Sequence, residues 1–228
     1  MKPVILLHGA LGSLEQLMPI ASSLQKKGFE PHPLEFSGHG QTPNSDRFNI
    51  QQFSEELLEF INQKSIQGAD IFGYSMGGYV ALYTAANHPV EIGKIITLGT
   101  KFHWDEKTAL NEQKNLDPDT ILQKVPKYAV SLEKRHGAEW KNLLQRTAAM
   151  MLEMGHNNPL KPEHFSKITK ACMIGIGDND QMVTLDETLK VYKQLPNARM
   201  YMLPNTKHPM EMVNTHLLSE IISTFLNE

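Results

Sequence analysis

The pattern Gly73-x-Ser75-x-Gly77 constrains the fold of this chain more than any other feature of its sequence. It places a serine on a sharp turn between a strand and a helix, so that the hydroxyl stands above the end of a sheet. Residues 69–72 read as the end of a short buried strand, and residues 79–87 are good helix formers. Side chains at either glycine would collide where the helix approaches the strand. This segment, the elbow, therefore predicts a strand, a tight turn and a helix, with Ser75 as candidate nucleophile.

Strand-like and helix-like segments alternate along most of the chain. Residues 4–7 form a continuous apolar run, which is typical of a central parallel strand covered on both faces. Pro31 and Pro33 weaken the next candidate strand and place it toward a sheet edge. The alternation predicts an α/β fold: a mostly parallel sheet with helices on both faces, which binds ligands beyond the carboxyl ends of its strands. The candidate strands lie at residues 4–7, 30–36, 69–72, 94–98, 171–176 and 199–203.

Residues 101–162 interrupt this alternation, because they contain no clear strand. The segment is too apolar to be disordered, and Asp117 followed by Pro118 has the form of a helix cap and a first-turn proline. We therefore expect a core built from residues 1–100 and 163–228, with a helical insertion between its two parts. One helical stripe of this insertion comprises Trp140, Leu143, Leu144, Ala148, Met151 and Leu152.

Length, charge and cysteine content narrow the class of protein. A chain of 228 residues suits one α/β domain with an insertion. A formal net charge of −3 gives no electrostatic reason to expect nucleic acid or an anionic membrane as a partner. Cys172 is the single cysteine, which excludes an intrachain disulfide and a metal cluster built on cysteines. The apolar run at residues 4–7 is too short for a signal peptide and no run is long enough to cross a bilayer, so we expect a cytoplasmic protein.

The elbow serine needs a base, since a serine hydroxyl is a weak nucleophile at neutral pH. Histidine serves as that base, and a carboxylate orients it and stabilises its charged form. With this elbow the chain order is serine, then aspartate or glutamate, then histidine. His208 is the one histidine of ten in a loop after the last expected strand. Asp178 and Asp180 both lie in the turn after the preceding strand, and either can be the acid.

Four loops of the chain resemble those of the α/β-hydrolase family. The likeness extends over almost the whole chain outside residues 101–162, and that segment lies where the family inserts a helical lid. The matching loops are the oxyanion loop at residues 8–13, the glycine–histidine–glycine loop at 37–40, the acid turn at 177–180 and the histidine loop at 208–211.

The resemblance implies a six-stranded sheet, equivalent to the family core without its first two strands. It also implies a catalytic triad of Ser75, Asp180 and His208, because the family spacing favours Asp180 over the alternative acid Asp178. Asp105 is a distant third candidate, since some members of the family carry the acid after the strand at 94–98.

Two backbone N–H groups are expected to bind the oxyanion that develops during acyl transfer. The Met76 N–H follows from the elbow itself, and the Ala10 N–H follows from the resemblance. Two positions depart from the family pattern. Lys207 stands where the family usually has glycine before the catalytic histidine, and Glu35 or Phe36 stands where it usually has aspartate.

An apolar substrate pocket is expected between the elbow and the insertion. Leu11 and Tyr74 flank the catalytic groups, and methionines of the insertion can adapt to irregular acyl shapes. Alternatively, the large side chains of the insertion pack together in the insertion's own hydrophobic core. The expected pocket residues are Leu11, Tyr74, Phe102, Trp104, Trp140 and Met151, with Met150 and Met154 beside them.

The sequence therefore predicts a serine hydrolase that cleaves a small or medium carboxylic ester or thioester through an acyl-enzyme on Ser75. No metal or cofactor is expected, and a monomer and a homodimer are equally compatible with the sequence. One alternative is a C–C bond hydrolase or a lyase resembling menaquinone synthase that uses the triad as a base, although Tyr79 replaces the arginine of that synthase. Dehalogenases and epoxide hydrolases need aspartate at the elbow, so Ser75 argues against both classes. The other alternative is a small-molecule receptor with little turnover.

Overall fold

The computed structural model describes residues 1–89 and 91–228. Its strands are β1 (Lys2–Leu7), β2 (Phe29–Leu34), β3 (Asp70–Tyr74), β4 (Ile95–Leu98), β5 (Cys172–Gly177) and β6 (Ala198–Leu203). They form one sheet in the order β2-β1-β3-β4-β5-β6, and every neighbouring pair is parallel. The predicted six-stranded parallel sheet is confirmed, and the proline-containing strand β2 lies at its edge.

The sheet is buried on both faces because successive side chains of a strand point in opposite directions. In β1, Ile5 and Leu7 pack with the helices on one face, whereas Val4 and Leu6 pack with those on the other, and all four are 0% exposed. The continuous apolar run of β1 is thus explained by burial on two sides.

Helices cover both faces of this sheet. Outside the connection from β4 to β5 they are α1 (Leu14–Lys26), α2 (Ile50–Lys64), α3 (Met76–Asn87), α9 (Leu185–Gln194) and α10 (Thr215–Asn227). Side chains of α2, α3 and α9 pack on the face of Ile5 and Leu7, and those of α1 and α10 pack on the opposite face. Side chains cap two of these helices: Asn49 caps α2 by accepting the Gln52 N–H, and Thr184 caps α9 by accepting the Glu187 N–H.

The predicted helical insertion is present between β4 and β5. It consists of α4 (Glu106–Gln113), α5 (Pro118–Lys124), α6 (Pro126–His136), α7 (Trp140–His156) and α8 (Pro162–Phe165). As expected, Asp117 caps α5 ahead of a first-turn proline. Helix α8 begins at Pro162, where we expect the insertion to end, and its Phe165 is buried in the same core cluster as the sheet. Among the described helices, none is both long and apolar enough to cross a membrane.

Candidate active site

Ser75 is the single residue between the end of β3 and the start of α3. Its backbone angles are φ 50° and ψ −117°, a conformation that residues with a side chain rarely adopt. Such a residue costs about 1–3 kcal/mol and persists where its surroundings fix it. Here the Ser75 N–H donates to the Leu98 carbonyl at 2.9 Å, and the Thr100 hydroxyl donates to the Ser75 carbonyl at 3.1 Å. The predicted strained turn is therefore present.

The two elbow glycines are required by close backbone contacts. A Cβ atom on Gly73 would lie 2.5 Å from the Cα and N atoms of Gly78, and one on Gly77 would lie 2.5 Å from the Leu7 carbonyl oxygen. Both contacts would be with backbone atoms, which cannot move away as a flexible side chain can. The start of α3 therefore packs directly on β1 and β3, which aligns Ser75 with the carboxyl end of the sheet.

His208 and Asp180 form a close pair beyond the ends of β5 and β6. His208 Nδ1 lies 2.8 Å from Asp180 Oδ2, and the Asp180 side chain is only 2% exposed. The other carboxylate oxygen accepts the N–H groups of Met182 and Val183, both at 2.9 Å. Because an ionised carboxylate only accepts hydrogen bonds, Nδ1 carries the ring proton and Nε2 is left free to act as a base.

The pKa of Asp180 is lowered despite its burial. Desolvation favours the neutral acid, but the hydrogen bond and charge of His208, together with the N–H groups of Val183 and Met182, outweigh it. Asp180 therefore stays ionised near neutral pH.

The other two candidate acids shape backbone turns. Asp178 is exposed, and its Oδ1 accepts the Thr206 N–H at 3.0 Å. The N–H groups of Asn205 and Thr206 lower its pKa. Asp105 caps α4 by accepting the Thr108 N–H at 2.7 Å. Asp180, rather than either of these, is the carboxylate paired with His208.

The loop of His208 is held by β3 and by the end of β4. The Tyr74 hydroxyl donates to the His208 carbonyl at 2.7 Å, and burial raises the pKa of this phenol, which keeps it a neutral donor. A Cβ atom on Gly99 would lie 3.3 Å from Asp180 Oδ2 and 3.4 Å from two ring atoms of His208. Gly99 has a φ of +61°, which favours glycine, and its lack of a side chain lets the Asp180–His208 pair pack closely against the backbone.

Ala10 and Met76 line one cavity together with Ser75 and His208. Met76 is the first residue of α3, so its N–H belongs to the helix start, where no carbonyl of the same helix can accept it. Ala10 lies in a turn that the Gly12 N–H closes onto the Gly9 carbonyl at 3.0 Å. Within the described part of the chain the Ser75 hydroxyl has no hydrogen-bond partner, and catalytic hydrogen bonds often form fully only when substrate binds.

Comparison with known proteins places this site in a family. A sequence model of the alpha/beta hydrolase fold matches residues 2–145. The chain belongs to the α/β-hydrolase family. The chain is 30% identical over 97 residues to the sn-1-specific diacylglycerol lipase ABHD11 of Danio rerio. The aligned segment covers 42% of the chain and 31% of that lipase.

Two further proteins match over most of their length. The hydrolase is 22% identical over 253 residues to the uncharacterized hydrolase YugF of Bacillus subtilis, covering 98% of the chain and 89% of YugF. The crystal structure of the enol-lactonase from Burkholderia xenovorans LB400 superposes with a TM-score of 0.82 at 16% identity, covering 100% and 92% of the two chains. By contrast, the chain spans only about a quarter to a third of the curated relatives that it matches at 30% identity or more.

The cavity of the hydrolase is narrow, about 50 Å³, and its wall is mostly apolar. Of the expected pocket residues, Trp104 and Met151 line it. Lys101 and Glu112 also face it, and they pair with each other at 3.1 Å with 17% of each side chain exposed. No sequence motif signals this pair. The remaining apolar wall is formed chiefly by Ile50, Tyr79, Met150 and Met154.

Four of the expected pocket residues, Leu11, Tyr74, Phe102 and Trp140, lie outside the lining of this cavity. Leu11 and Trp140 are buried together with Leu132 and Leu144 in a separate cluster of the insertion. Phe102 packs against Tyr79 and Phe165. Tyr74 turns its hydroxyl to the His208 loop. For Trp140 the physical reason is that a large apolar stripe on a helix is buried first against its own neighbouring helices.

Sequence reasoning missed the role of Glu35, which joins two loops of the hydrolase. Its carboxylate accepts the Leu14 N–H at 2.9 Å and the Gln41 N–H and Thr42 hydroxyl, both at 3.2 Å. The available signal was its position at the end of β2, where the family usually has aspartate. The Glu35 side chain binds the Gln41 N–H and the Thr42 hydroxyl, which directly follow the loop at residues 37–40.

His8 and His39 both bond backbone groups of nearby loops. His8 Nε2 accepts the Phe36 N–H at 3.1 Å, and the His39 ring bonds the Ser37 carbonyl at 3.2 Å. Both rings are 0% exposed. Among the described residues, no group of three or more His, Cys, Asp or Glu side chains is placed to hold a metal ion.

Proposed function

We propose that this α/β-hydrolase cleaves carboxylic esters or thioesters with a small acyl group, using Ser75 as nucleophile, His208 as base and Asp180 as its partner. One observation carries the proposal: the buried Asp180–His208 pair and the strained Ser75 meet at a single narrow apolar cavity. A serine on such a turn, a histidine with one free nitrogen and an ionised carboxylate are the parts that acyl transfer needs.

The reaction proceeds in two halves. Ser75 Oγ attacks the carbonyl carbon while His208 Nε2 accepts the serine proton, and Asp180 stays ionised and stabilises the imidazolium. His208 then gives the proton to the departing alcohol or thiol, which leaves an acyl group on Ser75. In the second half His208 takes a proton from water, the resulting hydroxide attacks the acyl carbon, and Ser75 leaves with the proton returned from His208.

The oxyanion of each tetrahedral intermediate is bound by the N–H groups of Ala10 and Met76 in this proposal. Donors fixed in advance are effective because they need no reorganisation when charge develops, and removing one typically costs 10²–10³ in kcat. The position of Met76 at the start of α3 adds the positive end of the helix dipole.

Residues 101–162 act as a lid in this proposal, over a core formed by residues 1–100 and 163–228. Trp104 and Met151 from the lid face the elbow across the cavity. The lid therefore sets the length of acyl chain that reaches Ser75, and its methionines fit irregular apolar groups.

Ester cleavage is preferred over the use of the triad as a base in C–C or lyase chemistry. Two of the relatives are named for cleaving ester bonds, a diacylglycerol lipase and an enol-lactonase. Tyr79 occupies the position of the arginine expected in the synthase-like alternative, and its hydroxyl is engaged by the Leu160 N–H at 2.9 Å and by Asn158. A neutral phenol engaged in this way offers no positive charge for an acidic substrate.

Labelling with a fluorophosphonate, followed by mass spectrometry, tests the proposal. We expect one adduct on Ser75 of the folded protein, none in Ser75→Ala, and at least ~100-fold slower labelling in His208→Ala, because the base that activates the serine is lost. Ser45, a serine in the loop before α2, provides the control: Ser45→Ala is expected to label as fast as the wild type. The absence of an adduct from folded wild-type protein, or an unchanged adduct in Ser75→Ala, would contradict a serine hydrolase.

A further inference from the structure

Leu11 holds a strained position next to the proposed oxyanion donor Ala10. Its φ is +58°, in the left-handed region where glycine is the usual residue. It occupies the third position of the Gly9–Gly12 turn, and a turn with a positive φ there is a type II turn. Relaxation of Leu11 to negative φ would rotate the peptide unit that joins Ala10 to Leu11. This unit is directly adjacent to the one that carries the Ala10 N–H, so the turn that holds this N–H in place would change its shape.

The last two residues of α6 hold this turn in its strained form. Arg135 Nη1 donates to the Leu11 carbonyl at 3.0 Å, and His136 Nε2 donates to the same oxygen at 2.9 Å. The Leu11 side chain is 6% exposed and lies in the apolar cluster of the insertion with Trp140. Both the carbonyl and the side chain of Leu11 are therefore fixed by the insertion.

The same two residues also reach the neighbouring loops. His136 Nδ1 accepts the Gly40 N–H at 2.9 Å, which leaves the ring proton on Nε2, where it faces Leu11. Arg135 Nη2 donates to Glu211 Oε1 at 3.0 Å, in the loop that carries His208. Burial of His136 lowers its pKa, which maintains the neutral ring that this arrangement requires.

We propose that Arg135 and His136 are positioning residues, which fix the Gly9–Gly12 turn so that the Ala10 N–H points at the developing oxyanion. This inference rests on the proposed function, since it concerns the donor opposite Met76. It gives the end of α6 a role in catalysis that is separate from the residues lining the cavity, because these two side chains determine the geometry of the oxyanion loop.

Arg146 supplies a matched control for this proposal. It is also an arginine of the insertion that reaches a loop of the core, with Nη1 donating to Asn44 Oδ1 at 2.8 Å and its guanidinium 4.8 Å from the centre of the Phe48 ring. Its contacts are with the loop at residues 44–48 and not with Leu11. Arg146→Met therefore removes a tether between insertion and core while leaving the oxyanion turn intact.

The experiment compares Arg135→Met, His136→Phe and Arg146→Met on one activated acetate ester. We expect the first two to lower kcat by ~10–100-fold with KM within about two-fold, since a displaced donor acts on the transition state and not on ground-state binding. Affinity for a trifluoromethyl ketone, which forms an oxyanion on Ser75, is expected to fall by the same factor. Arg146→Met is expected to stay within about three-fold of the wild type in both measurements.

Conservative variants keep the test informative if a large change unfolds the protein. His136→Gln retains a donor near the Nε2 position and is expected to recover at least part of the lost kcat. Arg135→Lys cannot reach Leu11 and Glu211 together and is expected to be intermediate. Each variant is checked by circular dichroism and thermal unfolding.

Two outcomes overturn the proposal: losses of kcat no larger than in Arg146→Met, or a change in KM with unaltered affinity for the trifluoromethyl ketone. These results are distinguishable from failure of the proposed function, because fluorophosphonate labelling of Ser75 reports on the nucleophile independently. If Ser75 is labelled but the Arg135 and His136 variants keep wild-type activity, the result contradicts only the positioning role and leaves the proposed function intact.

Discussion

The Asp180 carboxylate lies 2.8 Å from His208 Nδ1, whereas Asp178, two residues earlier in the same turn, faces the backbone N–H of Thr206. The difference follows from burial: the Asp180 side chain is 2% exposed beneath the histidine, and Asp178 is at the surface. Only the inner position can orient the imidazole and stabilise its positive charge in the proposed mechanism.

Asp180→Asn is therefore expected to lower kcat by ~10³-fold or more, because an amide favours the wrong tautomer of His208 and cannot stabilise its charge. Asp178→Asn is the matched control, and we expect it to change kcat by no more than a few-fold. Steady-state rates on an activated acetate ester measure both. A larger loss in Asp178→Asn than in Asp180→Asn would reverse the assignment of the acid.

Gly73→Ala is expected to be strongly destabilising, by ~3 kcal/mol or more, because its Cβ would lie 2.5 Å from the backbone of Gly78. Gly28→Ala separates this steric effect from backbone strain. Gly28 has a φ of +86° but no atom within 4 Å of an added Cβ, so we expect a cost of only ~1 kcal/mol. Urea unfolding gives both free energies. Equal costs would show that contact with α3 does not explain the elbow glycines.

The sequence was sufficient to predict features that depend on local rules. The apolar run of β1, the cap at Asp117 and the glycines of the elbow each follow from a few adjacent residues. Ser75, Asp180 and His208 each follow an expected strand. Because the carboxyl ends of parallel strands lie at the same edge of the sheet, the sequence also predicted that these three residues are close together.

Contacts between distant segments could not be predicted in this way. Trp140 forms a regular stripe with its neighbours, and such a stripe predicts that the residue is buried but not which residues it packs against. In the structure Trp140 packs in the apolar cluster of the insertion and does not line the cavity at Ser75. The bonds from Arg135 and His136 to the Leu11 carbonyl join segments 124 and 125 residues apart. They depend on how α6 packs over the oxyanion loop, which no local pattern encodes.

Met151→Ala is expected to shift the preference of the enzyme toward longer acyl chains, because it removes part of the wall of a cavity of about 50 Å³. One or two added methylene groups are worth roughly 10–200-fold in such a pocket. We expect the ratio of kcat/KM for hexanoate over acetate esters to rise by ~10-fold or more. Met18→Ala is the control, since Met18 lies on α1 and is 50% exposed. An unchanged ratio in Met151→Ala would place the acyl chain elsewhere.

Acid is expected to destabilise the protein through its buried histidines, among them His8. Burial lowers the pKa of His8 from 6.5 to about 4, against the opposing effect of the Gly9 carbonyl and Glu35. As pH falls below about 6.5 the unfolded chain binds a proton here, and the folded chain does not bind it until about pH 4. The free energy of unfolding therefore falls across this window, with His8 contributing on the order of 3 kcal/mol.

His8→Gln is expected to reduce that fall, since glutamine can still accept the Phe36 N–H but does not titrate. Urea unfolding at pH 7.5 and pH 4.5 gives the difference in unfolding free energy for each variant. His216→Gln provides the control, because its side chain is 82% exposed on α10 and its replacement leaves the buried rings in place. If His8→Gln loses as much stability between the two pH values as the wild type does, the buried imidazole of His8 is not a source of the acid sensitivity.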